Sequence, residues 1–137
     1  MNNHIDLLFS YFNEFADTCI KNNHLDAFNR KSISIDFSSK SRQGDISSNF
    51  YLVAIKKILD KQFNLKDELL SGIHNLDFIE KCEISKNGFI NINIKKKFLI
   101  DQVEHLLNEK NNYGKSNVGS EKNVNVEFVS ANPTGPV

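Results

Sequence analysis

The sequence predicts an α+β domain of two layers, a small, mainly antiparallel sheet covered by helices. Three observations lead there: an N-terminal apolar stripe at helical spacing, paired alternating runs around an Asn-Gly step, and a further helical stripe after them. With 137 residues, of which 39% are apolar and 25% charged, the chain is long enough to bury one core.

Ile5, Leu8, Phe9, Phe12, Phe15, Ala16, Cys19 and Ile20 recur at steps of three and four, which predicts a helix over residues 3–22. Lys31 to Phe37 alternates polar with apolar and predicts a strand with one buried face. A polar loop follows over Ser38 to Gln43. Gly44-Asp45 then predicts a second helix, with Asp45 capping the first turn and Ile46, Phe50, Val53, Ala54 and Ile58 on its stripe, ending near Asp60 to Phe63. Asn64 can cap a short third helix carrying Leu65, Leu69 and Leu70, weakened at Gly72 and ended by His74-Asn75.

Phe78, Glu80, Cys82 and Ile84 fall on alternate positions, Asn87-Gly88 supplies the positive-φ pair of a two-residue turn, and Ile90, Ile92 and Ile94 alternate again. This predicts a hairpin. Lys95 to Lys110 reads as a helix with Leu99, Ile100, Val103, Leu106 and Leu107 on its apolar side. Residues 111–123 read as a linker, and Val124 to Val129 as a strand that leaves into a Pro- and Gly-punctuated loop. That strand has no partner after it, which reads as the start of a second domain.

Seventeen Lys and Arg balance seventeen Asp and Glu, so a polybasic or histone-like protein is excluded and any nucleic-acid contact must rest on a local patch. No apolar run approaches the roughly 20 residues of a membrane helix, and Met1 to Asp6 holds no cationic leader. The expectation is a soluble, cytoplasmic protein without a membrane partner. Cys19 and Cys82 are too few for a disulfide framework and fall on apolar faces, as buried free thiols do. His4, His24, His74 and His105 form no close pair with a cysteine or with one another at ligand spacing, so no metal site is expected.

Alternation that sends Ile90, Ile92 and Ile94 inward sends Phe89, Asn91 and Asn93 to the opposite face. An exposed aromatic beside amides can stack on an unpaired base and bond its edge, and Lys86, Lys95, Lys96 and Lys97 bracket the strand with charge for phosphates. The other reading of the same residues packs Phe89 under a helix or loop and leaves the lysines as a solvated helix start. Gly114-Lys115-Ser116 imitates the end of a phosphate loop, but Glu109 stands where that loop needs its first glycine. No Ser, His and Asp set has a local signature, and no complete active site is visible.

The run from Val126 to Pro136, Val-Glu-Phe-Val-Ser-Ala-Asn-Pro-Thr-Gly-Pro, resembles the segment of arginyl-tRNA synthetases that enters the first strand and nucleotide loop of the class I catalytic domain. Gly44-Asp45-Ile46-Ser47-Ser48-Asn49 is similar to that family's Gly-Asp-Tyr-Ala-Thr-Asn, and Gly88-Phe89-Ile90-Asn91-Ile92 to its Gly-Phe-Ile-Asn-Ile strand. Together these cover residues 40–137 in the family's order. The His-x-Gly-His signature that binds ATP follows in the family, whereas this chain stops one residue after Pro136.

The resemblance implies an N-terminal fragment: residues 1–110 as the additional domain that binds the tRNA D-loop, 111–123 as a linker, and 124–137 as the first strand and loop of the catalytic domain. It implies that Phe89 and Asn91 stack on and hydrogen-bond a D-loop base, and the charge pattern adds Lys86, Lys95 and Lys96 as the expected phosphate contacts. Glu127, Ser130 and Asn132 match positions that hold the substrate arginine, a carboxylate suiting the guanidinium fork. The full-length enzyme would join L-arginine to its tRNA through an adenylate made from ATP with Mg2+. The fragment alone is expected to be a monomer without cofactor or activity. Ile46, Ser47 and Ser48 depart from the family's Tyr, Ala and Thr, and Asn87 from its usual proline. The competing reading is a non-catalytic α+β protein-interaction module docking through the Phe89 face.

Overall fold

A computed structural model describes residues 4–38, 44–117 and 119–126. The chain divides into two compact units, Met1–Gln102 and Val103–Val137. Helix α1 runs His4–Lys21, strand β1 Ile35–Phe37, β2 Ile46–Ser48, helix α2 Phe50–Ala54, α3 Leu65–His74, β3 Ile79–Ile84, β4 Ile90–Ile94 and α4 Lys96–Glu109. The sheet is fully antiparallel with order β1-β2-β4-β3. The α+β expectation therefore holds.

One face of the sheet carries the core. Ile46 of β2, Ile79 and Cys82 of β3, and Ile90, Ile92 and Ile94 of β4 meet Leu8, Phe12, Ala16 and Cys19 of α1, Phe50 and Ala54 of α2, and Leu65, Leu69 and Ile73 of α3. Phe12 stacks on Phe50 with ring centroids 4.5 Å apart and planes 9° from parallel, an aromatic pair that adds to burial. Asn64 caps α3 as expected, accepting from the Asp67 N–H at 3.2 Å. A Cβ on Gly72 would run into the end of the Tyr11 ring, whose hydroxyl donates to the Leu69 carbonyl, so any larger residue there has to displace that ring.

Several local expectations fail. Lys31 and Ser32 do not begin a strand, since Asn29 accepts from the Lys31 N–H and folds Arg30–Ser32 into a 3-10 turn. The remaining strand is the three-residue β1, an edge strand whose Phe37 is exposed. The loop expected over 38–43 lies outside the described residues beyond Ser38.

Asp45 caps no helix. Its N–H donates to the Ile92 carbonyl at 2.8 Å, its carboxylate accepts the Ile94 N–H at 2.8 Å, and Ile46–Ser48 pairs with β4. The second helix begins instead at Phe50, whose N–H is met by the buried Ser48 hydroxyl. It turns 3-10 over Ile55–Lys57, well short of the expected end, because Ile58 leaves to bridge Leu25.

In the hairpin, a bulge between Ile79 and Lys81 breaks the alternation and buries Phe78 and Ile79 in succession. Residues 124–126, the described part of the last predicted strand, carry no assigned secondary structure, and 127–129 lie outside the described residues. Among the described residues, no helix is long and apolar enough to cross a membrane.

Candidate nucleic-acid interface

Strand β4 is central, so every second side chain must face the core or the open side. Ile90 and Ile92 are fully buried and Ile94 nearly so, whereas Phe89 is 39% exposed and Asn91 and Asn93 are half-buried. The face assignment read from alternation therefore holds for all six residues.

Register completes the open face. Asn91 lies opposite Ser47 on one side and Glu83 on the other, and Ser47 lies opposite Asp36. Directly opposed residues share a face, so Asp36, Ser47, Asn91 and Glu83 make one polar row across four strands. Lys81 and Asn93 form the next row, and Lys81 Nζ meets Glu83 Oε2 at 3.2 Å. The Ser47 hydroxyl lies 3.5 Å from Asn91 Oδ1.

The turn that presents Phe89 has three residues, not two. Gly88 N–H donates to the Ser85 carbonyl at 2.9 Å, Ser85 N–H donates to the Phe89 carbonyl at 2.8 Å, and only Gly88 has positive φ, at 82°. Lys86-Asn87 thus form the centre of an ordinary turn and Gly88 the left-handed residue that closes it. A Cβ on Gly88 would stand 3.0 Å from Leu52 of α2, so the tip is seated on that helix. The Ser85 hydroxyl also accepts the Phe89 N–H.

Lys86 is exposed at this tip, next to Phe89. Lys95 and Lys96 are exposed at the other end of β4, five residues or roughly 17 Å along the strand at about 3.4 Å per residue. Lys95 lines a groove of about 540 Å3 with Leu7, Leu76, Phe78 and Phe98, rimmed also by Asp77, Lys97 and Asp101. Lys86 and Phe89 thus belong to the turn at one end of β4, Asn91 lies within the strand, and Lys95 and Lys96 follow its other end. Glu127, Ser130 and Asn132 lie outside the described residues.

Three residues of the Gly44–Asn49 stretch act as clamps that local sequence reading does not reveal. Gly44, at φ 86°, approaches β4 so closely that a Cβ would meet the Ile92 carbonyl oxygen at 2.7 Å, and Asp45 follows with its two bonds to β4. At the far end Asn49 accepts from the Ser34 N–H at 2.8 Å and donates to the Ser32 carbonyl at 2.9 Å. The stretch fixes β4 on one side and the segment entering β1 on the other.

Contrary to the sequence reading, a cysteine and a histidine do meet: Cys82 Sγ lies 3.3 Å from His74 Nδ1. Burial pushes the Cys82 thiol up to about 11, so it stays protonated and unreactive at neutral pH. Among the described residues no three His, Cys, Asp or Glu side chains converge to hold a metal. Lys115 is tied to Asn112, its Nζ 2.7 Å from Asn112 Oδ1, in an exposed turn with no phosphate cradle.

The family model described as the arginyl tRNA synthetase N terminal domain matches residues 13–94. Among curated proteins, the arginine–tRNA ligase of Bartonella quintana is 34% identical over 118 residues, covering 86% of this chain and 20% of the relative. That of Bartonella tribocorum is 37% identical over 105 residues, 77% of this chain and 18% of the relative. That of Caldanaerobacter subterraneus is 33% identical over 106 residues, 77% of this chain and 19% of the relative. The chain spans about a fifth of the length of these relatives.

Proposed function

The chain belongs to the arginyl-tRNA synthetase family, whose N-terminal domain it carries, and from this premise we propose that it is the tRNA-contacting part of an arginine–tRNA ligase. Residues 1–110 are the domain that meets the D-loop, and 124–137 open the catalytic domain. The observation that carries this reading is the placement of Phe89, exposed on the open face, two residues before Asn91 on a strand whose alternate side chains are buried. A ring in that position offers its face to an unpaired base and the amide offers polar groups to its edge. Lys86 at the hairpin tip neutralises the phosphate nearest that base, while Lys95 and Lys96 meet phosphates further along. With zero net charge, the attraction is local and falls with salt.

In the full-length enzyme Glu127 holds the arginine guanidinium by a bidentate ion pair, and Ser130 and Asn132 hold its α-amino acid end. ATP with Mg2+ would supply the activation: the arginine carboxylate joins the α-phosphate as pyrophosphate leaves, and the ribose hydroxyl of the tRNA then takes the arginyl group as AMP leaves. The protein works in the cytoplasm as a monomer.

Two measurements test the reading. Full-length protein should charge arginine tRNA, and failure to do so while charging another tRNA or none contradicts the ligase assignment. Labelled arginine tRNA titrated at low salt with this chain should bind, and changing its D-loop bases should weaken binding. Binding indifferent to the D-loop would make the domain a scaffold instead.

A further inference from the structure

We propose that the apolar face of α4 is the seat of the catalytic domain in the full-length enzyme, so that this helix holds the tRNA-reading domain at a fixed place relative to the active site. The assignment of that seat rests on the ligase reading. Leu99, Ile100, Val103, Leu106 and Leu107 fall within one stripe roughly 120° wide at about 100° per residue, and all five are exposed. The half-buried residues of the helix are instead Phe98, Gln102 and His105, at steps of four and three on another side. The helix thus half-buries a stripe with an amide and an imidazole while exposing one made only of aliphatic side chains, the reverse of a self-contained amphipathic helix. A contiguous apolar face of that kind marks an interaction surface.

Three observations name the occupant. The family match ends at residue 94, so α4 follows the matched domain directly. This chain matches 18–20% of each relative, which leaves about four-fifths of those enzymes elsewhere, ample chain to cover one helix face. A linker as short as residues 111–123 averages roughly 20 Å end to end, which keeps α4 and the domain that opens at 124–137 at an effective concentration on the order of millimolar. Docking within one molecule then outcompetes docking of a second copy at ordinary protein concentrations. A membrane surface is the poorer match, because α4 sets two lysines against Asp101, Glu104 and Glu109, whereas helices that lie on anionic lipid are rich in Lys and Arg. The surface that meets α4 is accordingly aliphatic.

The test is maleimide labelling of the full-length enzyme, followed peptide by peptide by mass spectrometry, with each rate taken relative to the same enzyme unfolded in denaturant. Val103→Cys puts a thiol at the centre of the face and Asn108→Cys puts one on the other side of the helix, while the native Cys19 and Cys82 are buried. Val103→Cys should react at least about tenfold more slowly than Asn108→Cys, since a covered site reacts only when it opens. Arginine charging by the same samples keeps the two readings apart. Equal labelling of the two variants in an enzyme that charges arginine tRNA overturns the proposal and leaves the ligase assignment intact. Protection that disappears on dilution overturns it in favour of a second copy, and protection that appears only with added anionic vesicles overturns it in favour of a membrane. An enzyme that charges no arginine tRNA loses the ligase assignment, and the proposal falls with it.

Discussion

Helices α1 and α4 carry the same kind of apolar stripe and meet opposite fates. In α1, Leu8, Phe12 and Ala16 are fully buried and Cys19 nearly so. In α4 no residue is buried, and Leu99, Ile100, Val103, Leu106 and Leu107 are 43–63% exposed. Periodicity therefore reports which side of a helix is apolar, and the rest of the chain decides whether that side is covered. The two faces of β4 repeat the lesson at finer scale, with isoleucines under the helices and Phe89, Asn91 and Asn93 left open.

The sharpest way to break the comparison is to truncate one side chain on each helix. Phe12→Ala removes a ring stacked on Phe50 in the core and should cost about 3–5 kcal/mol in denaturant unfolding. Leu107→Ala, at a position 63% exposed, should change stability by no more than about 0.5 kcal/mol. Equal losses would mean that α4 is covered after all.

Asp45 extends the comparison to polar groups, since its partners lie 49 residues away at Ile94 rather than in a following helix turn. Asp45→Ala leaves the Ile94 N–H without its acceptor and should cost about 1–2 kcal/mol. Loss of protection at the Ile94 amide in hydrogen exchange should accompany it. A mere helix cap would instead loosen amides near Phe50.

The smallest expected effect lies outside the sheet, at Asp60. Its carboxylate accepts the Gln62 N–H at 2.9 Å and meets His24 Nδ1 at 3.1 Å, and the His24 ring stacks on Phe63. The Gln62 N–H, followed by His24, holds the Asp60 carboxyl below the ordinary aspartate value. A lowered folded value means that its stabilisation is fully present above the unfolded value and is lost as pH falls through the folded one. Melting temperature of the wild type should therefore drop slightly more than that of Asp60→Asn across that acid range. Parallel curves would remove Asp60 from the acid response.

What the sequence made legible follows the same division. The stripe of α1, the Asn64 cap, the faces of β4 and the exposure of Phe89 all depend on nearest neighbours or strict period, and these were readable. Asp45 and Asn49 were not, because each bonds to chain far away in sequence and an aspartate before an apolar run reads locally as a cap. The bulge at Ile79–Lys81 and the three-residue turn escaped for a related reason: one inserted residue changes pairing while leaving composition untouched. The polar row of Asp36, Ser47, Asn91 and Glu83 needed the strand order β1-β2-β4-β3, which no local pattern contains.

The account stands or falls on the open face of β4, and Phe89→Ala against Ile90→Ala tests it on adjacent residues. Anisotropy with arginine tRNA at low salt should show Phe89→Ala binding weakened by about 1–3 kcal/mol with an unchanged melting temperature. Ile90→Ala should lose stability, its side chain being fully buried. Undiminished affinity of Phe89→Ala for tRNA would contradict the claim that this face reads nucleic acid.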